Sequence, residues 1–417
     1  MSAVLRHWPR ILITLVPVVL MLINVGATSR RPMLDGLDLF IADSRLRLTL
    51  PGRLDPRIVI VDIDDASLQA VGQWPWGRDK LAKLTTELME RQEAAVLGFD
   101  MVFPEEDRSS GLNTLRELAN GPLRDNAPLL AELERRAPGL DHDGAFARAM
   151  QNHRVVLGFY LTQGDQPLRR GQLPPPVLPP TALADGLGIY ATQWNGYGSN
   201  IEPLAGAAKT AGFINAVINP RGDGLLRAAP LLGYYGGASS AAGQNGYYES
   251  LGLAVYRVAT GSASIVPVLA PPHHSDGPPF VQALQLGQGT DAFRVPLPGR
   301  TSMLVPFLGR GGPLGGSFQY ISAQEIISGG LPAGALEGKI VLLGTTAPGL
   351  QDLRATPVGA TFPGVEVHAN VISALLDKRF LAMPDYALGY EFAVLALSGL
   401  VLAVGLSVLP LGQGIVL

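Results

Sequence analysis

Apolar positions along the 417-residue chain gather into two long uncharged runs, one near each end, with a mixed stretch between them. Residues 11–29 carry no charged side chain, and 11–25 (ILITLVPVVLMLINV) is mostly aliphatic. At about 1.5 Å rise per residue, such a run reaches roughly the thickness of a bilayer core. Trp8 stands just ahead of it, where an interfacial aromatic is expected, and Pro17 is tolerated where neighbouring groups satisfy the freed carbonyl. The pattern predicts a transmembrane helix over 8–28; Val25-Gly26-Ala27 also fits the cleavage point of a signal peptide. A second transmembrane helix is predicted over 388–409, with Tyr386 and Tyr390 at the interface. Residues 410–414 (PLGQG) read as a turn, and 415–417 as the start of a further transmembrane helix in a longer chain.

Between the runs the pattern shortens to strand and helix lengths. Residues 57–65 (RIVIVDIDD) open with a β-branched run typical of a buried strand, and 94–103 (AAVLGFDMVF) form a second one. Trp74-Pro75-Trp76-Gly77 is a rigid aromatic turn between them. Asp79 then fits the N-cap of a helix to Gln92 with Leu81, Leu84, Leu88 and Met89 at helical spacing. Strand, helix, strand with so long a crossover implies a right-handed parallel unit. A polar, helix-prone insertion follows over 105–151, then a third strand over 155–160 and a proline-rich extended loop over 164–182. Residues 212–219 read as a strand turning at 220–224 into a return strand over 225–232. A helix over 250–259 and a Pro/His/Gly-rich loop over 271–279 come next. The last third predicts a strand over 301–307, a short helix over 323–327, a buried strand over 338–344 and a loop over 345–359. Pro363-Gly364 then opens a helix with Val365, Val367, Val371, Ile372 and Leu375 on its apolar side. The expected fold class is α/β: a mixed, largely parallel central sheet with flanking helices, tethered by transmembrane helices at both ends of a water-soluble domain over 30–386.

Composition narrows the function. The net charge is −3, and every charged residue except Arg6, Arg10 and Glu391 lies in the central domain, so no basic field invites nucleic acid. The absence of cysteine excludes disulfides, thiolate metal sites and a cysteine nucleophile, and leaves the compartment open. Arg6 and Arg10 before the first run are balanced by Arg30 and Arg31 after it, so charge does not set orientation.

Candidate chemistry lies where strands end. Asp62, Asp64 and Asp65 stand at the carboxyl end of the first strand and Asp100 near that of the second, the edge where parallel sheets place ligands. They are expected to converge there on a cation or polar ligand; the other reading is that they cap the next helix or close a turn. Without compensation four carboxylates repel, so backbone N–H groups, Arg78 or a cation must offset them. Thr345, Thr346 and Asp352, in a small-residue loop beyond the buried strand, are placed to approach an anion with the helix start at Gly364, or to pack strand against helix. Trp74, Trp76, His368 and Asn370 complete the candidate ligand-binding set, and whether a metal is bound is left open. Glu366 and His368 are two residues apart, so one helix does not aim both at one ion. Gly338-Lys339 is followed by Ile340 and precedes its strand, unlike a Walker loop, and no G-x-S-x-G nucleophile elbow occurs. No catalytic constellation is evident in the chain.

Three blocks carry a family resemblance. The first is Asp55-Pro56-Arg57 through Ile63-Asp64-Asp65-Ala66-Ser67-Leu68, then Gly72-Gln73-Trp74-Pro75-Trp76-Gly77-Arg78 and Gly98-Phe99-Asp100. The second is Gly212-Phe213-Ile214-Asn215 with Asp223-Gly224-Leu225-Leu226-Arg227, and the third joins 338–344, Asp352, Thr356-Pro357 and Pro363 to Asn370. Together they resemble the CHASE domain of the second type, an extracytoplasmic sensory module of bacterial adenylate/guanylate cyclases, histidine kinases and Ser/Thr kinases. The resemblance implies a periplasmic sensor in the bacterial cytoplasmic (inner) membrane, with one span before the domain and about three after it. It also implies an output domain beyond residue 417, foremost a class III cyclase using Mg2+ and ATP or GTP, and with it a homodimer. No cofactor is expected in this part of the chain, and the partners expected are membrane lipid and an unidentified small-molecule or protein signal. A kinase output, a membrane-anchored docking protein and a membrane-anchored extracytoplasmic enzyme are the alternatives.

Overall fold

The structure, a computed structural model, describes residues 8–26, 32–183, 191–216, 223–237, 243–262, 264–270, 280–298, 301–347, 349, 352–382 and 387–408. The predicted turn and span start over 410–417, the 271–279 loop, Tyr386 and most of the 220–224 turn lie outside the described residues. Two compact units emerge, Met1–Leu48 with Ala382–Leu417, and Thr49–Leu381.

The first unit holds helices α1 (Trp8–Gly26), α2 (Pro32–Leu48) and α12 (Ala387–Val408). Among the described residues one helix, Gly389–Val408, is long and apolar enough to cross a membrane; Trp8–Ile23 is a shorter apolar helix. Helices α1 and α12 pack through small residues four apart on α12: Gly399, Ala403 and Ser407. A Cβ at Gly399 would lie within 3 Å of Val18 Cγ1, and Thr14 Oγ1 is 3.3 Å from the Ala403 carbonyl and 3.5 Å from Ser407 Oγ. Small residues let helix backbones approach closely.

The second unit is built on one sheet. Its strands in chain order are β1 (Ile58–Ile63), β2 (Val96–Phe99), β3 (Val155–Thr162), β4 (Arg169–Arg170), β5 (Gly196–Gly198), β6 (Thr210–Phe213), β7 (Gln319–Ser322) and β8 (Ile340–Thr345). They lie in the order β7-β1-β8-β2-β3-β5-β4, with β6 also on β3; all pairs are parallel except β3 with β5. As expected, β1 and β2 run the same way, but β8, from the last third of the chain, sits between them. Both faces are covered, which is why these strands read as continuous apolar runs. Val59, Val61, Val341, Leu343, Leu97 and Phe99 face one core with α3 (Asp65–Val71), α4 (Arg78–Thr86), α7 (His142–Met150), α8 (Glu202–Ala207) and α10 (Ala323–Ile327). The alternate residues Ile58, Ile60, Ile340, Leu342 and Val96 face α9 (Leu251–Thr260) and α11 (Gly364–Asp377). The far end of α11 is tied to the start of β1, where Asp377 accepts from Arg57 Nη2 at 2.7 Å and Ser373 Oγ donates to Asp55 at 2.7 Å.

Several expectations are corrected. The cap of α4 is not Asp79: the helix starts at Arg78, whose backbone N–H donates to Asp107 of the insertion at 2.6 Å, and it closes in a π-helical turn, Glu87–Arg91. The 105–151 insertion is helical as predicted, forming α5 (Leu112–Asn120), α6 (Ala127–Leu140) and α7, but it is not wholly polar, because α7 brings Phe146 and Met150 into the core. The return strand over 225–232 is split at Leu231. Ala228–Pro230 pairs with Ser302–Leu304, while Leu232–Tyr235 pairs with Gly246–Glu249. The 345–359 loop contains half of an antiparallel hairpin, β9 (Leu353–Thr356) and β10 (Gly359–Pro363), turned at Pro357-Val358.

Candidate functional site

Register places two of the predicted aspartates side by side. Asp62 pairs with Gly344, and Phe99 pairs with Leu343, so Asp100 stands level with Gly344 on the other side of β8. The two backbones are then two strand spacings apart, about 10 Å. Residues level on parallel neighbours share a face, so Asp62, Gly344 and Asp100 continue the columns that face α11. A Cβ at Gly344 would lie 2.7 Å from Val365, so the first turn of α11 comes down on the gap that glycine leaves.

Each aspartate meets a different environment there. Asp62 is 4% exposed and accepts from Thr346 N–H at 2.8 Å and from the Thr346 hydroxyl. Burial pushes its carboxyl up to about 6, against the pull of the Thr346 bonds, with Asp64 and Asp65 adding to the rise. Asp64 caps α3, accepting from Ser67 N–H at 2.8 Å, and also accepts from Ser322 Oγ at 2.8 Å. Burial raises its carboxyl, but the Ser67 and Ser322 bonds outweigh burial and hold it below the usual range. Asp65 is exposed in the first turn of α3. For Asp64 the capping alternative is the one the structure shows.

Asp100 is different. Its side chain is 9% exposed and faces His368 Nε2 of α11 at 3.8 Å, with the imidazole 13% exposed. That separation is too long for a hydrogen bond. Burial pushes Asp100 up to about 7, with Asp352 raising it further and Arg354 opposing. Burial drives His368 down to about 4, and the Arg354 charge adds to the fall, so the ring is neutral near pH 7. Hairpin β9–β10 delivers the other two groups: Arg354 Nη2 pairs with Asp352 Oδ1 at 2.6 Å, while Arg354 Nε is buried without an acceptor among the described residues. The Asp352 carbonyl accepts Gly364 N–H at 2.8 Å, which fixes the hairpin to the start of α11.

A small cavity opens beside Asp352, Arg354 and His368, and Asp100 is not among its lining residues. Ile214, Leu226 and Val371 form much of its apolar wall, and Ser250, Arg354 and His368 contribute polar groups. It has room for roughly one water. Apolar walls with a few convergent polar groups and perturbed titrations are the usual makeup of a ligand site. Asn215 at its rim is committed elsewhere, its amide exchanging bonds with the N–H and C=O of Leu161, both at 2.8 Å.

The remaining candidates are placed elsewhere. Trp76 is buried, donates its indole N–H to the Gly72 carbonyl at 2.7 Å and stands edge-on to Trp74 with centroids 5.7 Å apart. Arg78 lies 4.5 Å over the Phe103 ring and 3.6 Å from Asp143, so it faces the insertion and not Asp62 or Asp100. Asn370 accepts from Leu308 N–H at 2.9 Å and donates to the Glu366 carbonyl at 2.7 Å. Thr345 ends β8 opposite Ile63. Glu366 and His368 diverge, as their spacing requires: Glu366 is fully buried and accepts from Tyr320 OH at 2.7 Å and Gly312 N–H at 2.6 Å. Sequence reasoning missed Arg354, whose only local signal is the Thr356-Pro357-Val358-Gly359 turn that follows it. Among the described residues no group of three or more His, Asp or Glu is placed to hold a metal ion.

The profile of one protein family, the CHASE2 domain, matches residues 15–406. No curated protein and no solved structure matches the chain.

Proposed function

The chain belongs to the CHASE2 family, whose domain is an extracytoplasmic sensory module of signalling proteins, and from that premise we propose that the Asp100–His368 pair, with the cavity that His368 lines, is where this sensor receives its signal. The observation that carries the reading is a buried carboxyl and a buried imidazole that lie 3.8 Å apart without bonding, with His368 lining a small cavity beside them. Buried polar groups are rarely left so, because an unmet partner costs free energy. The cavity touches α11 at His368, and α11 precedes α12 in the chain by nine residues. A ligand shifts output only through a difference in affinity between two states of the domain. Here the difference is supplied at the first turns of α11, whose other end is held by Arg57 on Asp377 and by Asp55 on Ser373.

In this reading α1 and α12 tether the domain to the bacterial inner membrane, with residues 49–381 in the periplasm. The output is a class III adenylate or guanylate cyclase beyond residue 417, a homodimer that uses Mg2+ and ATP or GTP; a histidine or Ser/Thr kinase in that place would change the output and leave the sensor as it is. The test is the full-length chain in membranes. Asp100→Asn and His368→Leu are expected to change basal output several-fold while the melting midpoint of the domain moves little. Wild-type output from both variants, in protein shown to be folded, refutes the site.

A further inference from the structure

The kind of signal follows from the surroundings of the Asp100–His368 pair, an inference that rests on the sensor reading above. Asp100 stands in an apolar niche. Its neighbours on the same sheet face are glycines, Gly344 on β8 and Gly158 on β3. Val365 and Ile214 fill the gaps they leave, 2.7 Å and 3.0 Å from where a Cβ would stand. Among the described residues the Asp100 carboxylate has no hydrogen-bond donor, and Oδ1 faces His368 Nε2 at 3.8 Å. In line, that separation leaves no room for a heavy atom, and the cavity beside the pair reaches His368 but not Asp100. A hydrogen fits, and sharing one draws oxygen and nitrogen to about 2.8 Å. The charged groups turned towards the pair are Asp352 and Arg354 of hairpin β9–β10, which are paired with each other at 2.6 Å. Helix α9 packs Gly252 against the His368 carbonyl and carries no titratable side chain before Tyr256. Asp62, beyond Gly344, is held by Thr346, and Glu366 on α11 turns to Tyr320. With His368 neutral, two carboxylates therefore face one guanidinium in an apolar setting, and one proton cancels the excess charge.

We propose that Asp100 and His368 form a proton receptor: one proton from the outer solution, carried on Asp100 Oδ1 and donated to His368 Nε2, is the signal, and its arrival draws the first turns of α11 towards β2. The carboxylate gains an O–H bond and the imidazole, with its own hydrogen on Nδ1, accepts it; no other bond changes. Side-chain exposures of 9% and 13% leave a path for a proton. Burial sets where the proton resides, holding Asp100 up at about 7 while His368 stays neutral down to about 4. Closing the pair moves His368 by about 1 Å, the size of helix shift by which packed proteins switch.

The experiment follows the full chain in nanodiscs by infrared difference spectroscopy between about pH 9 and about pH 5, with output measured over the same range. A protonated-carboxyl C=O band is expected to appear with a midpoint of about 7. It is lost in Asp100→Asn and kept in Glu366→Gln and Asp62→Asn, whose carboxyls titrate at about 7 and about 6. In His368→Leu the band moves to higher wavenumber, because a carboxyl that donates no hydrogen bond has a stiffer C=O. Output steps with pH in the wild type. Asp100→Asn, neutral and able to donate an amide N–H to His368, loses the step and stays at the acid level throughout. The proposal is overturned if no band titrates with Asp100, if His368→Leu leaves the band in place, or if Asp100→Asn keeps the wild-type step. Should Asp100→Asn change output at fixed pH while no Asp100 band titrates, the sensor site stands and only the proton assignment falls. A titrating band with output indifferent to both variants ends the sensor reading and this proposal with it.

Discussion

A buried carboxyl group costs little when protonated and much when ionised, so its effect on stability depends on pH. Glu366 is the sharpest instance, fully buried with Oε2 holding the Tyr320 and Gly312 donors and Oε1 without a partner among the described residues. Burial raises its carboxyl from 4.5 to about 7 although both bonds pull it down. Between those values the folded chain holds a proton that the unfolded chain has lost, so stability falls as pH rises. The contribution is complete below about pH 4.5 and gone once pH passes about 7. Glu366→Gln keeps an oxygen for both donors and carries no charge. It is expected to be more stable than wild type at pH 8 by about 2 kcal/mol, with the gap closing towards pH 4.5. Urea unfolding of the two proteins at pH 5 and pH 8 decides it. A variant less stable than wild type at pH 8 would mean that the ionised carboxylate has a cationic partner.

At the scale of elements, the site depends on how closely α11 lies on β8. Gly344→Ala places a methyl 2.7 Å from Val365, and overpacking of this kind costs about 1–3 kcal/mol. Gly139→Ala, on α6 with nothing within 4 Å of its new Cβ, is expected to gain about 0.5 kcal/mol from helix propensity. Denaturant midpoints of the two variants should therefore move in opposite directions. The same elements show what could be read beforehand. Strands β1 and β8 and helices α10 and α11 were legible because burial on both faces, or on one helical stripe, writes an apolar pattern. Hairpin β9–β10 wrote none: Leu353 and Ala355 are exposed, and its buried residues are the clusters Thr356–Val358 and Phe362–Pro363 with no alternation, so its residues look like loop. The aspartates were legible as a strand-edge group, but their division was not. It follows from β8 entering between β1 and β2, a pairing between distant segments, and from Asp107 and Asp143 drawing Arg78 to the insertion.

At the scale of the whole molecule, the open question is which side of the membrane each part occupies. Two arginines on either side of the first apolar run leave the charge rule balanced, and α1 is a shorter apolar helix than α12. The sensor reading needs α1 to cross, with Met1 in the cytoplasm and residues 49–381 outside. Residues 1–417 hold no cysteine, so when they are expressed alone an introduced thiol is the sole target in them for a maleimide. Leu314 is fully exposed in a glycine-rich turn of the Thr49–Leu381 unit, so Leu314→Cys presents its thiol without disturbing the core. In spheroplasts an impermeant maleimide is expected to label Leu314→Cys before lysis and Ser2→Cys only after it. Labelling of both before lysis would mean that α1 does not cross. Labelling of Leu314→Cys only after lysis would put the Asp100–His368 pair in the cytoplasm, where an external signal cannot reach it, and would end the sensor reading.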